Sequence, residues 1–139
     1  MDIRPLSGDF AVAPQIAPEE MPAIAAQGYR ALVCNRPDGE APGQPTAEAL
    51  AEAAREAGLS FHELPVGPAG IAPDMIDDLN RLRAEAEGPV LAYCRSGTRS
   101  ATLWALAEAG RRPADTILSA ARAAGYDLAH LAPALEPTR

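Results

Sequence analysis

The sequence predicts an α/β fold, a mostly parallel sheet flanked by helices, and three observations carry that expectation. Short apolar runs at 29–34, 59–66 and 89–93 alternate with segments whose apolar residues recur at helical spacing. Glycine or proline marks nearly every junction. The alternation of strand and helix implies right-handed crossovers, which lay strands side by side in parallel and cover both faces with helices. In such a sheet the site lies beyond the carboxyl ends of the strands. Cys34, the loop after Val66 and Cys94 should then open on one edge.

Taken in order, residues 1–17 read as short extended pieces, with Ser7-Gly8-Asp9 as a turn and Phe10 to Ala13 as a weak strand. Pro18 suits the first position of a helix, Glu19 and Glu20 complement its positive end, and Gly28 closes it. Tyr29 to Cys34 follows as a strand, and Asn35 to Pro45 as a turn-rich loop. Thr46 caps a helix with the stripe Leu50, Ala53, Ala54 and Ala57, ended by Gly58. Leu59 to Val66 reads as a strand, and 67–70 as a loop too rich in Gly and Pro to be regular. Pro73 opens a third helix with Met75, Ile76, Leu79, Leu82 and Ala86 on one face. After the strand at 89–93, a fourth helix runs from about Ser100 to Glu108. A last helical region starts near Pro113, breaks at Gly125 and resumes as a short turn around 127–131.

The 139 residues suit one catalytic domain with one core. Hydrophobic residues make up 47% but aromatics only 4%, so small alanine-faced helices packed on a sheet fit the composition. A net charge of −7 argues against a nucleic-acid or anionic-membrane surface, although a local positive cleft can still draw a small anion. No apolar run approaches the ~20 residues needed to span a bilayer. An N-terminus without an apolar signal core and two widely separated cysteines are expected of a cytoplasmic protein with free thiols. Neither His62 nor His130 has a metal-ligand partner at useful spacing, so no metal and no cofactor are expected.

The chemistry concentrates in Tyr93-Cys94-Arg95-Ser96-Gly97-Thr98-Arg99-Ser100. An apolar strand ends at a cysteine, a short glycine-containing loop follows, and a helix begins. That order aims loop amides and the positive end of a helix at one point above Cys94, which favours an anion there and thiolate over thiol. Gly97 permits the inward turn of the backbone. Ser96, Thr98 and Ser100 bring hydroxyls, and Arg95 and Arg99 bring charge with no acid between them. A buried structural thiol would need none of these neighbours.

This segment closely resembles the active-site loop of bacterial rhodanese-like sulfurtransferases, which reads Cys-Arg-x-Gly-x-Arg. Asn35-Arg36-Pro37-Asp38-Gly39-Glu40, His62-Glu63-Leu64-Pro65-Val66 and Trp104-Ala105-Leu106 resemble the phosphatase-like domain of beta-lactamase-hydrolase-like proteins. That second resemblance covers nearly the whole chain and implies a dual-specificity-phosphatase-like, rhodanese-related fold. Because some such domains are fused to a metallo-beta-lactamase-type domain, it also implies a persulfide dioxygenase of that type as a functional partner.

Two reactions compete. In tyrosine and dual-specificity phosphatases the loop is one residue longer between cysteine and arginine; here Arg99 arrives early and Ser100 stands where that pattern needs arginine. Such phosphatases also need an acid for the leaving oxygen. The stretch 65–73 has none. Asp74 and Asp38 are candidates, but a helix-start carboxylate and an Asp-Gly turn explain them equally. Sulfur transfer needs no such acid, since sulfite or a thiolate leaves as an anion. The residue count therefore favours a sulfurtransferase that forms a Cys94 persulfide from thiosulfate or a persulfide and passes sulfur to a thiol or cyanide. The alternative is a cysteine-dependent phosphatase acting through a Cys94 phosphocysteine on a phosphate ester. A third reading is a non-catalytic sulfur-relay or regulatory anion-binding module.

Three residues stay between site and scaffold. Cys34 either resolves a persulfide or disulfide on Cys94 or is a small apolar strand residue. Arg36 lines the pocket or pairs on the surface with Asp38 or Glu40. Trp104, on the apolar face of the helix after the loop, anchors that helix.

Overall fold

The computed structural model describes residues 1–136, and its centre is a five-stranded sheet. The strands are β1 (Arg4–Ser7), β2 (Phe10–Ala13), β3 (Ala31–Cys34), β4 (Ser60–Glu63) and β5 (Val90–Tyr93). They lie in the order β1-β2-β5-β3-β4, with β1 antiparallel to β2 and every other pair parallel. The helices are α1 (Met21–Ala26), α2 (Ala47–Glu56), α3 (Pro73–Glu85), α4 (Thr98–Glu108), α5 (Ala114–Ala123) and α6 (Ala132–Leu135). The expected mostly parallel α/β fold is the fold observed.

Strand alternation sorts the side chains between two cores. Phe10, Val12, Ala31, Val33, Val90 and Ala92 meet α3 to α6 through Leu79, Leu103, Trp104, Ile117 and Leu135. Ala11, Ala13, Leu32, Cys34, Leu91 and Tyr93 meet α1 and α2 through Met21, Ile24, Leu50 and Ala54. The sheet is thus covered on both faces, and β5 runs between β2 and β3 at its centre. Each fully buried Leu or Ile contributes about 1.5–3 kcal/mol. Trp104 is fully buried, in the anchoring role expected of it.

Several boundaries differ from the sequence-based expectation for identifiable reasons. The first helix opens as a 3-10 turn (Pro18–Glu20) before α1. The third strand starts at Ala31, two residues later than expected. β4 stops at Glu63, short of Val66, because Pro65 has no N–H and the Leu64 carbonyl accepts instead from Asn35 Nδ2 at 2.8 Å. α4 begins at Thr98 rather than Ser100: Gly97 takes a left-handed φ of 95°, and its carbonyl accepts the first helical N–H, from Ala101. Beyond Gly125 the chain forms a 3-10 turn (Ala129–Leu131) and then α6, which was not anticipated. Among the described residues, no helix is long and apolar enough to cross a membrane.

At the end of the sheet away from Cys94, α4 closes on an acid. Glu108 is its last residue, where the helix dipole disfavours negative charge. Two arginines offset this: Arg83 Nη1 lies 2.7 Å from Oε1 and Arg112 Nε 3.0 Å from Oε2. Arg83 also faces Asp9 at 3.6 Å and stacks over the Phe10 ring at 5.2 Å. Removing one partner of a buried pair leaves an uncompensated charge. Glu108→Gln is therefore expected to cost about 3 kcal/mol, which urea unfolding monitored by Trp104 fluorescence would report.

Candidate active site

The carboxyl ends of β2, β3, β4 and β5 meet at one edge, and the backbone ladder runs past the strands there. Cys94 N–H donates to Ala13 O at 3.3 Å, Asn35 N–H to Tyr93 O at 2.8 Å, and Gln15 N–H to Arg95 O at 3.2 Å. These bonds place Cys94 at the sheet's central tip, directly before the loop that enters α4. Cys94 is fully buried. Gly97 N–H donates to its Sγ at 3.1 Å, so a backbone amide points at sulfur as the loop sequence predicts. Ser96 Oγ donates to Thr98 Oγ1 at 3.1 Å, and both side chains stay exposed at the rim, as does Arg95.

Arg99 lies in the first turn of α4 and is fastened by two neighbours. Its Nη1 donates to Glu40 Oε2 at 2.7 Å and to Val66 O at 2.9 Å, and its Nη2 to Glu40 Oε1 at 2.8 Å. Glu40 in turn accepts from Arg36 Nε at 2.9 Å, while Arg36 Nη1 donates to Gln15 Oε1 at 3.0 Å. The hydrogen bonds from Arg99, reinforced by Arg36, hold the Glu40 carboxyl down at about 2. Glu40 raises the Arg99 guanidinium above its ordinary value, and the Cys94 sulfur acts on it in the same direction. One carboxylate thus bridges two arginines beside the cysteine.

Asn35 holds this arrangement together and was not singled out from sequence. It is fully buried, and all its polar groups are used. Its N–H reaches Tyr93 O, and its carbonyl accepts from Val66 N–H at 2.8 Å. Its Nδ2 donates to Leu64 O, and its Oδ1 accepts from Ser100 Oγ at 2.8 Å. The loops after β3, β4 and β5 are joined through this one residue. Its only sequence signal is a polar residue directly after an apolar strand, which many turns share.

The remaining candidates sort clearly. Ser100 is buried and donates to Asn35 rather than facing the anion site, because helical rotation carries it to the sheet side. Arg36 is 5% exposed, not a surface partner; Glu40 and Gln15 supply the polar contacts that let it be buried. Asp38 Oδ1 accepts from Ala47 N–H at 2.8 Å at the start of α2, a helix-start role. Asp74 is exposed in the first turn of α3. Cys34 shares the edge but belongs to the face packed on α1 and α2, where its Sγ donates to Arg36 O at 3.3 Å. Alternation along the register-matched strands sends Cys94 to the opposite face. Burial pushes the Cys34 thiol up, which suits a structural thiol more than a resolving one.

A shallow, largely apolar cleft of about 430 Å³ opens beside Arg99, lined by Val66, Ile71, Thr98, Thr102 and Leu106. The edge therefore offers a buried sulfur that accepts an amide N–H, a clamped guanidinium and a nearby apolar surface. Such a set can hold an anion against a nucleophile.

Comparison with known proteins identifies the family. The beta-lactamase hydrolase-like protein of Xylella fastidiosa is 38% identical over 130 residues, covering 92% of this chain and 30% of that protein. The chain thus spans about a third of that relative's length. A Neisseria meningitidis protein described as a "putative phosphatase" superposes with a TM-score of 0.85 at 35% identity, covering 97% of this chain and 96% of that one. A Shewanella putrefaciens protein described in the same words shares the fold at a TM-score of 0.72 and 12% identity, covering 96% and 83%. The family model for the phosphatase-like domain of beta-lactamase hydrolase-like proteins matches residues 2–111. On these grounds the chain belongs to the phosphatase-like domain family of the beta-lactamase hydrolase-like proteins.

Proposed function

We propose that the protein is a cysteine-dependent phosphatase acting on small phosphate monoesters. The observation that carries this reading is Arg99 clamped beside an amide-bonded Cys94 in a phosphatase-like domain. The residue count in the loop put sulfur transfer first; the family and the Neisseria relative support the phosphatase alternative instead.

In the proposed reaction the Cys94 thiolate attacks phosphorus in line with the ester oxygen. The S–P bond forms as the P–O bond breaks, giving a phosphocysteine and releasing the ester oxygen as an anion that takes its proton from solvent. Water then attacks phosphorus, the S–P bond breaks, and inorganic phosphate leaves with the thiolate restored. Loop amides and the Arg99 guanidinium carry the charge on the equatorial oxygens. Glu40 fixes the direction of that guanidinium, and the apolar cleft takes the organic part of the ester.

Protonation of the leaving oxygen distinguishes this site. Asp38 is engaged at the start of α2 and Asp74 is exposed on α3. Glu40, the carboxyl against Arg99, is ionised at neutral pH. The reading therefore favours esters whose alcohol leaves readily as an anion.

Sulfur transfer stays as a second reading because of the four residues between Cys94 and Arg99. One assay separates the two. Wild type should hydrolyse aryl phosphates and transfer little sulfur from thiosulfate to cyanide, with Cys94→Ser lowering hydrolysis about ten-thousandfold. Robust sulfur transfer without phosphate release would reverse the assignment.

A leaving-group series tests the acid. Rates should fall steeply from nitrophenyl to alkyl phosphates, and Asp38→Asn and Asp74→Asn should each change kcat by less than about threefold. A loss of about a hundredfold in either variant would make that residue the general acid.

The Glu40 ion pairs have a defined pH signature. The folded carboxyl lies at about 2 against an ordinary 4.5, so its stabilisation is complete above 4.5 and lost as pH falls towards 2. Urea unfolding of wild type and Glu40→Gln should differ at pH 7 and converge between pH 4.5 and 2. A difference that does not narrow would show that the carboxylate charge is not what stabilises the cluster.

A further inference from the structure

The anion loop is braced from behind by Tyr126, which lies beyond the residues matched by the family model. The side chain is 6% exposed and packs in the core beside α4 and α5. Tyr126 N–H donates to Ala121 O at 2.9 Å. Arg4 of β1 lies over the ring at 5.4 Å and donates to Ala124 O at 3.2 Å. The hydroxyl is thus delivered by two elements that the loop sequence does not contain. The phenol is a protonated donor at neutral pH, and burial raises it further above its usual value.

Its acceptor is Ser96 O, at 3.2 Å. The same peptide unit carries the Gly97 N–H that donates to Cys94 Sγ at 3.1 Å. No peptide among the described residues is cis, and in a trans peptide C=O and N–H point in opposite directions from one rigid plane. The tyrosine hydroxyl and the cysteine sulfur therefore hold opposite sides of a single plate. That plate precedes a glycine at φ 95°, where the backbone can rotate at little steric cost. Turned over, it would aim the Ser96 carbonyl at the sulfur and remove a donor from the cradle. A side chain at position 97 would collide with the Tyr126 hydroxyl, so the two residues are fitted to each other.

We propose that Tyr126 is a positioning residue that locks the Ser96–Gly97 peptide with its N–H on Cys94. It touches no reacting atom and acts through the peptide plane. The inference rests on the reading of Cys94 as the reacting sulfur, not on which group is transferred.

The test compares wild type, Tyr126→Phe and Glu108→Gln, the last weakening the fold at the far end of the sheet. Three quantities are read. They are the Gly97 amide shift by 15N–1H NMR, the iodoacetamide alkylation rate of Cys94 resolved from Cys34 by peptide mass spectrometry, and aryl phosphate kinetics. Tyr126→Phe should move the Gly97 amide upfield and slow Cys94 alkylation about tenfold. It should also lower kcat about tenfold, with KM changed less. Glu108→Gln should leave the amide and the alkylation rate unchanged. An unmoved Gly97 amide with unchanged alkylation in Tyr126→Phe would overturn the proposal, as would equal changes in Glu108→Gln. If wild type hydrolyses no aryl phosphate, the phosphatase reading falls, while the amide and alkylation measurements still decide the role of Tyr126.

Discussion

The hydrogen bond between Ser100 and Asn35 is the constraint on which the site depends, because it joins the first turn of α4 to the sheet edge. Without it, the first turn of α4 would be held to the sheet edge only by the Cys94 loop and the Arg99 hydrogen bonds, although Leu103 and Trp104 would still pack the helix on the sheet. With it, the helix start, the end of β3 and the segment after β4 form one body, since Asn35 also bonds Leu64 and Val66. The segment matters because Val66 O is one of the two anchors of Arg99. A buried amide with every group satisfied is costly to disturb, each orphaned partner being worth about 1–3 kcal/mol. Asn35 therefore sets the distance between nucleophile and guanidinium while facing neither.

Charge at this edge is balanced locally and is independent of the chain's overall acidity. Arg36 and Arg99 share Glu40, so part of the positive field is already neutralised in the resting site. The residual charge suits one small anion, whereas a polyanion would meet a surface whose net charge of −7 opposes it. The same bridge orients Arg99 through paired hydrogen bonds, and orientation is what phosphoryl transfer asks of an arginine.

What the sequence revealed and what it concealed divide along contact range. The Cys94 loop was legible because its strand, glycine and helix are contiguous, so local chemistry places the amide on sulfur. The sheet and most helices were legible from periodicity and punctuation. Asn35, Gln15, Glu40 and Tyr126 were not picked out as parts of the site because each reaches it across the chain; Tyr126 is thirty positions from its acceptor. Ser100 was assigned to the anion by adjacency, but one further step along a helix rotates a side chain about 100° and turned it inward. The β1 edge and α6 are too short to carry a periodic signal.

The four-residue spacing between Cys94 and Arg99 points to sulfur only if the backbone alone places the guanidinium. Moving an arginine one position along a helix displaces its Cα by about 1.5 Å in rise and 100° in rotation. A guanidinium on a long, flexible stem can recover such a displacement when its end is fastened independently of its backbone. Here the end is fastened three times, twice by Glu40 and once by Val66. The position of the charge is thus set by the loops after β3 and β4, which lie outside the motif that was counted. Spacing within a motif discriminates between reactions only when nothing else holds the side chain, and that condition fails at Arg99.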